Sequence, residues 1–541
     1  MLWRAGLLLL LAVICTYCAN PIPPQGGPVD EQPPRIDSTR STPNMQTNFR
    51  PQQIELTFDE WVKLSQPNQQ VIISPPIEGF RVSLKKRTVI LDFGQKDTLR
   101  DNVTYVVQFG EAVQDLTESN PAEDLRFVFS TGPYIDSLQV RGQLNDAYTG
   151  EPVEDGLVML YENLADTAFR TERPFYFGRT DEQGNFLISN IRPGQFQVTA
   201  LKDTDANYRF SQVTEPIGFL KDPITINADT TPYLNLRLFT EQLPLKLNDV
   251  DSSRFGLLSL TFNTNPLDRI SWESDLHFQS KYEKDSLLLW YQSEQRDTLY
   301  LQHDTTWVDT FRLRPARLAS AADKLAALTI KPPATGNAGI YPRRNIVLRA
   351  SRPLLGVDTS LWTITRDTLK EKILLRGLQL NPEDSTELLL SHNWIPNSTY
   401  QLLIQPGGLT DIWQVPSVDS LNTKWRVSEE KRFGTMKLLF ETTDSTANYL
   451  IRIVSGSKPP VGEFVLTGQL TYDQQLTGLP PGEYQLAVIL DQNRNARWDT
   501  GNFDQKQQPE PVSIQSLEEL RASWEIETNV DLSSLFRNLN D

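Results

Sequence analysis

The sequence predicts an all-β protein, a string of Ig-like and transthyretin-like β-sandwich domains, on three observations. Short runs alternate with period two: "QIELTFDEWVKL" places Ile54, Leu56 and Phe58 on one face, and "NVTYVVQF" does the same with Val103, Tyr105, Val107 and Phe109. Such runs recur at roughly 8–12-residue spacing between Pro, Gly, Asn and Asp, the pattern of sandwiches. The chain also repeats itself. "LRDNVTYVVQFGEAVQDLTES" (Leu99–Ser119) has a counterpart in "IPNSTYQLLIQPGGLTDIWQ" (Ile395–Gln414), and "NFRPQQIELTFDEWV" a looser one in "GIYPRRNIVLRASRPL". A second kind of unit repeats as "GNFLISNIRPGQFQVTALKDTDANYRF" (Gly184–Phe210) and "QLTGLPPGEYQLAVILDQNRNARWD" (Gln475–Asp499). The order is A, B, a β-rich middle piece, A, B. Long helical patterns are absent, and two short helices are expected, near 318–327 and 516–521.

Bulk properties set the limits. A chain of 541 residues exceeds a single core and implies several domains. Its net charge of −16 repels phosphate backbones, so nucleic acid is excluded as an expected partner. The leader has Arg4 followed by an apolar run ending near Ile14. That run is too short to span a bilayer, which takes about 20 residues, and it reads as a signal peptide over 1–17. The only cysteines are Cys15 and Cys18. Cleavage before Cys18 leaves a mature chain with one cysteine, at its first position. Residues 19–34 carry six prolines and read as an extended, semi-rigid tether.

Cys18 behind this leader resembles the lipobox of bacterial lipoproteins, with Tyr17 and Cys15 at −1 and −3 in place of the usual small residue and Leu. The resemblance implies lipidation of Cys18. The first A unit resembles the bacterial Ig-like (SbsA-like) domain of S-layer proteins through Pro33-Pro34-Arg35-Ile36, Ile54–Glu60 and Leu99–Leu116. The first B unit resembles the carboxypeptidase-regulatory or transthyretin-like sandwich through Thr180, Asp181, Gly184, Phe186 and Ile188, then Ile191, Pro193, Gly194, Phe196 and Val198. The second B unit keeps Leu479, Pro481, Gly482, Tyr484 and Leu486. The whole plan resembles an uncharacterised family of Bacteroidetes-type Ig-like lipoproteins. The expected domains are a tether at 18–34, an Ig-like domain at 35–132, a carboxypeptidase-regulatory-like sandwich at 133–241, a middle domain at 242–330, a second Ig-like domain at 331–432, a second transthyretin-like sandwich at 433–530, and a tail at 531–541. The resemblance implies a cell-envelope lipoprotein, anchored in the outer membrane by its lipid and partnered by an envelope protein or a glycan. Ala19 and Asn20 are followed by no acidic cluster, which favours the periplasmic face over the cell surface.

The expected role is structural or binding, without catalysis; an accessory subunit, a carbohydrate-binding module and an envelope enzyme with a carboxylate site are the alternatives. No nucleotide loop, nucleophile elbow or metal-spaced histidine pair is present, and His277, His303 and His392 are scattered. Asp59-Glu60 is an adjacent acid pair whose members face opposite sides of a strand. The expectation is no cofactor, save one candidate. Asp203, Asp205 and Asn207 in the first B unit, and Asp491, Asn493, Asn495 and Asp499 in the second, alternate oxygen-bearing side chains as a calcium loop does. Position 6 is Tyr208 or Ala496 where such loops carry Gly, which favours the other reading, turns capped by their own Asp and Asn. Asp followed by Ser or Thr and then an apolar residue or Thr, as in Asp136-Ser137-Leu138 and Asp285-Ser286-Leu287, resembles an O-glycosylation sequon, against the alternative of ordinary β-turn pairs. A flat glycan-binding face would draw on Trp272, Trp290, Trp307, Trp362, Trp394 or Trp413.

Overall fold

The alternation at Ile54, Leu56 and Phe58 builds the first sheet of a computed structural model that describes residues 31–541, apart from 78, 95–98, 124, 206, 229–230, 268, 304–306, 332, 334–338, 368–370, 376, 457–458 and 538–541. The expected signal peptide, Cys18 and residues 19–30 of the expected tether lie outside the described residues. Two compact units are present. One holds residues up to Leu144 with Glu154–Phe210 and Leu220–Leu236; the other holds Asn145–Val153, Ser211–Phe219 and Arg237–Asp541.

In the first unit, strand Gln53–Thr57 pairs with Thr88–Asp92, which pairs with Arg81–Lys85. The opposing sheet runs Ile72–Ser74, Thr104–Gln108, Arg126–Ser130. Between them lies one apolar core, including Ile54, Leu56, Phe58, Val107 and Phe129, with Tyr105 stacked on Phe129 at 5.2 Å. A two-stranded ribbon, Val62–Leu64 against Val113–Asp115, projects from this sandwich. The next sandwich sets Tyr176–Arg179, Leu157–Tyr161, Gly194–Leu201 and Ile224–Ile226 in one sheet, and Asn185–Ile191 beside Leu138–Asp146 in the other. Its Thr-Asp-x-x-Gly turn works as the residue types require: Asp181 accepts the amides of Gln183 and Asn185, and Gly184 takes φ +74°.

The second unit repeats both plans. Its second Ig-like sandwich runs Ile346–Ala350, Glu387–Ser391, Gly377–Leu380 opposite Trp362–Arg366, Thr399–Ile404, Leu421–Arg426, with a ribbon of Leu354–Val357 and Leu409–Asp411. This is the strand order of the first, with one further edge strand on each sheet, Ile330–Lys331 beside Ile346–Ala350 and Glu371–Lys372 beside Trp362–Arg366. The middle piece has the same order again: Leu257–Phe262, Ser286–Tyr291, Phe278–Glu283 opposite Ile270–Glu273, Asp297–His303, Trp307–Leu313, without the ribbon among the described residues. The last sandwich sets Gly462–Thr467, Asn448–Val454, Gln485–Leu490 and Val512–Ser516 in one sheet. Its other sheet places Gly434–Glu441 between antiparallel Thr471–Leu479 and parallel Glu525–Asp531. The sequence there lacks the Thr-Asp-Gly turn, yet the strands before it form, because Met436, Leu438 and Phe440 alternate into the core.

Of the two expected helices, the first forms as a 3-10 turn at Leu318–Ser320 running into Ala321–Lys324. The second does not. Leu520 exchanges backbone hydrogen bonds with Gly482 and is fully buried in the last core, so residues 516–521 are held extended against a neighbour despite helix-forming side chains.

Candidate functional site

Each B sandwich ends a central strand in an acidic loop, and the two loops share one hydrogen-bond pattern. In the first, the amides of Asn207 and Tyr208 donate to the two oxygens of Asp203 at 3.3 and 2.8 Å. Asn207 also donates to Asp205 at 3.2 Å, and Arg209 N–H to Asn207 Oδ1 at 2.6 Å. In the second, the amides of Asn495 and Ala496 donate to the two oxygens of Asp491 at 3.1 and 2.8 Å, Asn495 to Asn493 at 3.2 Å, and Arg497 N–H to Asn495 Oδ1 at 2.9 Å. Position 6 is left-handed in both, φ +62° at Tyr208 and +57° at Ala496, the conformation for which calcium loops carry Gly. Burial is the main force raising the Asp203 carboxyl above its ordinary range; the Tyr208 amide opposes it and neighbouring Asp205 adds to it.

The second loop is the richer one. Leu490 pairs with Tyr449 on one side, and Ile489 pairs with Val512 on the other. The Leu490 amide bond to the Pro511 carbonyl (2.9 Å) and the Asp491 amide bond to the Asn448 carbonyl (3.0 Å) carry both registers on, which aligns Asn448, Asp491 and Glu510 in a row across three strands. Side chains so aligned stand on one face, neighbours about 5 Å apart at Cβ. All three are buried, at 4%, 2% and 3% exposure. Loop residues cover the row. Asn495 Nδ2 donates to Asp499 at 2.7 Å, and Asn493 Nδ2 donates to the same oxygen. The amides of Gln492 and Asp499 donate to Glu510 at 2.7 and 3.1 Å. Burial chiefly raises the Glu510 carboxyl; those two amides oppose the shift and the charges of Asp499 and Asp491 reinforce it. The sequence marked Asp491, Asn493, Asn495 and Asp499 but missed Asn448 and Glu510, which reach the place through strand register.

A second feature lies in the first unit. A cleft of about 1000 Å³ has Pro76, Ile77, Phe80 and Phe177 on its walls. Arg100, Arg173 and Arg209 line it against the single acid Glu172, and all three arginines are exposed. The cleft lies where the two sandwiches of this unit meet. That seam is fixed by Ser74 Oγ donating to the Phe175 carbonyl (2.6 Å) and Tyr208 Oη donating to the Gln69 carbonyl (2.9 Å).

In the second unit the ribbon of the Ig-like sandwich is buried against the middle sandwich. Trp413 packs with Leu257, Trp290, Ala321 and Ile412, and its indole N–H donates to the Tyr291 carbonyl at 3.0 Å.

The remaining sequence candidates take structural places. Asp59 accepts the Arg35 amide at 2.9 Å, pinning the chain entry. His277 is exposed and His392 packs on Trp394; the side chains of His303 and Trp307 lie outside the described residues. Trp290, Trp394 and Trp413 are buried, and Trp362 donates to the Gly408 carbonyl, so these four present no flat exposed face. Ser137 is exposed, whereas Ser286 meets Thr261 across a strand pair.

Residues 30–131 match the bacterial Ig-like domain family. No curated protein matches the sequence. Among solved structures, the Bacillus anthracis TIE protein is similar at 10% identity and a TM-score of 0.16, over 93% of this chain and 76% of that one. BcpA, the major pilin subunit of Bacillus cereus, is similar at 10% identity and a TM-score of 0.13, over 73% and 99%. Domains 1–6 of the surface layer protein SbsC give 10% identity and a TM-score of 0.13, over 90% and 67%. This chain contains an Ig-like domain within an all-β series of sandwiches.

Proposed function

We propose that this chain is a lipid-anchored, non-catalytic structural and binding protein of the bacterial cell envelope, held at the periplasmic face of the outer membrane through Cys18. The observation that carries the structural half is the buried ribbon at Trp413. Sandwiches joined by a plugged aromatic and specific hydrogen bonds keep a fixed geometry, which a spacer or scaffold needs and a flexible linker would not supply. Support for the anchor comes from the leader, the lone mature cysteine and the proline-rich tether. For the binding half, the arginine-lined cleft of the first unit favours an anionic partner, against the acidic charge of the chain as a whole.

The test is processing of the native protein in membranes with the lipoprotein signal peptidase blocked, alongside Cys18→Ala. Accumulation of the uncleaved precursor and loss of membrane retention in C18A are expected. Normal cleavage and release of the mature chain under the block would sink the anchor. Pull-down from detergent-solubilised envelope tests the rest: one stoichiometric protein partner supports the scaffold, whereas recovery of glycans alone favours the carbohydrate-binding alternative.

A further inference from the structure

We infer that the last sandwich holds a calcium ion between its sheet face and its acidic loop, liganded by oxygens of Asn448, Asp491, Asn493, Asn495, Asp499 and Glu510. Two independent observations lead there. The first is charge without compensation. Asp491 and Glu510 are almost fully buried, the charges of Asp499 and Asp491 both reach Glu510, and none of the three forms an ion pair among the described residues; their oxygens stand wider apart than one ion's shell and would close on it. Burying a charge is costly unless it is paired or coordinates a metal. Backbone amides satisfy some lone pairs of these oxygens but carry no net charge.

The second observation is Asn448. Its Oδ1 is buried with no hydrogen-bond partner, while the residue is only 4% exposed. It stands directly across from Asp491, on the same face as Asp491 and Glu510, so the orphaned oxygen belongs to the same row. A buried amide oxygen is rarely left unpaired. A cation at this place would satisfy it together with the acids beside it.

The donor set selects the ion. All six ligands are carboxylate or amide oxygens, with no histidine or cysteine, which suits a hard cation and not zinc or copper. Calcium takes six to eight oxygens and tolerates irregular geometry, whereas magnesium keeps several waters and a strict octahedron. Asn493 and Asn495 now turn Nδ2 toward Asp499. Rotating each amide would present Oδ1 instead, since the group carries donor and acceptor at one end. Ala496 already holds the left-handed turn that lets such a loop fold back on itself. The ion would brace the loop of residues 491–510 on the sheet.

The test uses the full mature chain, stripped with chelator and titrated with calcium chloride, read by calorimetry and by the thermal unfolding midpoint. Calcium binding with a raised midpoint is expected, abolished in Asp499→Asn and in Glu510→Gln and retained in Asp203→Asn. In chelator, D499N should unfold no earlier than the parent, because its remaining amide oxygen can still accept from Asn493 and Asn495 while the negative charge is gone; this shows that its loss of binding is not misfolding. No heat and no shift in the parent would overturn the inference, as would binding that survives both D499N and E510Q. Loss in D203N with retention in D499N would move the ion to the other loop and overturn it too. An equal shift from magnesium chloride at the same concentration would overturn the assignment to calcium.

Discussion

Gly256 is an exacting position in the second unit, and replacing it with alanine tests how the ribbon is seated. Its φ is +61°, and an added Cβ would lie 2.5 Å from Cζ2 and 2.8 Å from Cε2 of Trp413. The indole cannot retreat freely, because its N–H is bonded to the Tyr291 carbonyl and it is 2% exposed. Left-handed backbone costs a residue with a Cβ about 1–2 kcal/mol, and overpacking a filled core costs about 1–3 kcal/mol. Gly256→Ala should therefore destabilise the seam by about 2–5 kcal/mol, summed from the same two terms. Trp413→Ala alone should cost about 3–5 kcal/mol. In the W413A background only the backbone part of the glycine substitution survives, so the double-mutant cycle should show a coupling of about 1–3 kcal/mol. Global unfolding of a chain with several cores is not two-state. Native-state hydrogen exchange is the better assay, read on peptides spanning 286–292, where the Tyr291 amide donates to the Gly256 carbonyl at 2.9 Å. If G256A costs the same with and without the indole, the clash is not the cause and the account of the seam fails.

Two further predictions bear on the same region. Arg352 is 7% exposed and donates to Asp411, itself fully buried, at 2.6 Å; Arg352→Met should cost about 3–5 kcal/mol by leaving that carboxylate unpaired, and a thermal midpoint unchanged from the parent would contradict this. Burial pushes the Asp384 carboxyl up, but the hydroxyl and amide of Thr386 and the ammonium of Lys281 outweigh it and hold it below the ordinary range of about 3.8. A carboxyl lowered on folding contributes stability above its unfolded value that is lost as pH falls through the folded one, so acid should weaken the parent below about pH 4 more than Asp384→Asn, as parallel pH–denaturation series would show.

The strands were legible because their signal is local. Ile54, Leu56 and Phe58 alternate whatever they pack against, and all three are buried as the alternation requires. Residues 516–521 misled for the same reason: Leu517, Glu518, Glu519 and Leu520 favour a helix locally, and a tertiary pairing with Gly482 overrides them. The acidic loop was half legible. Asp491, Asn493, Asn495 and Asp499 fall at alternating positions in one stretch of chain. Asn448 lies 43 residues before Asp491, Glu510 lies 19 after it, and only strand register brings them beside it. Likewise, the shared Leu-Thr pairs the sequence with Leu116-Thr117 against Leu409-Thr410, whereas the strands set Val113–Asp115 against Leu409–Asp411, and nothing in the sequence says which copy is covered.

That pair of ribbons separates what builds the turn from what docks it. In both, the aspartate at the end of the second strand is buried and caps the turn after it: Asp115 accepts the amides of residues 117–120, and Asp411 those of Trp413 and Val415. In both, the next amide donates to a carbonyl on the partner strand, Leu116 to Trp61 at 2.9 Å and Ile412 to Pro353 at 3.2 Å. The backbone is thus the same with or without a neighbour. The side chains differ in fate. Ile412 and Trp413 are 9% and 2% exposed, while Trp61 and Leu116 remain 56% and 55% exposed. Fully burying one such side chain contributes about 1.5–3 kcal/mol, too little to shape the ribbon but enough to hold it where a complementary surface exists. The sandwich that receives the second ribbon is the one whose described residues form no ribbon of their own. Its Gly256 leaves the space that the Trp413 ring fills, so the fit depends on a glycine in the acceptor as much as on the tryptophan it admits.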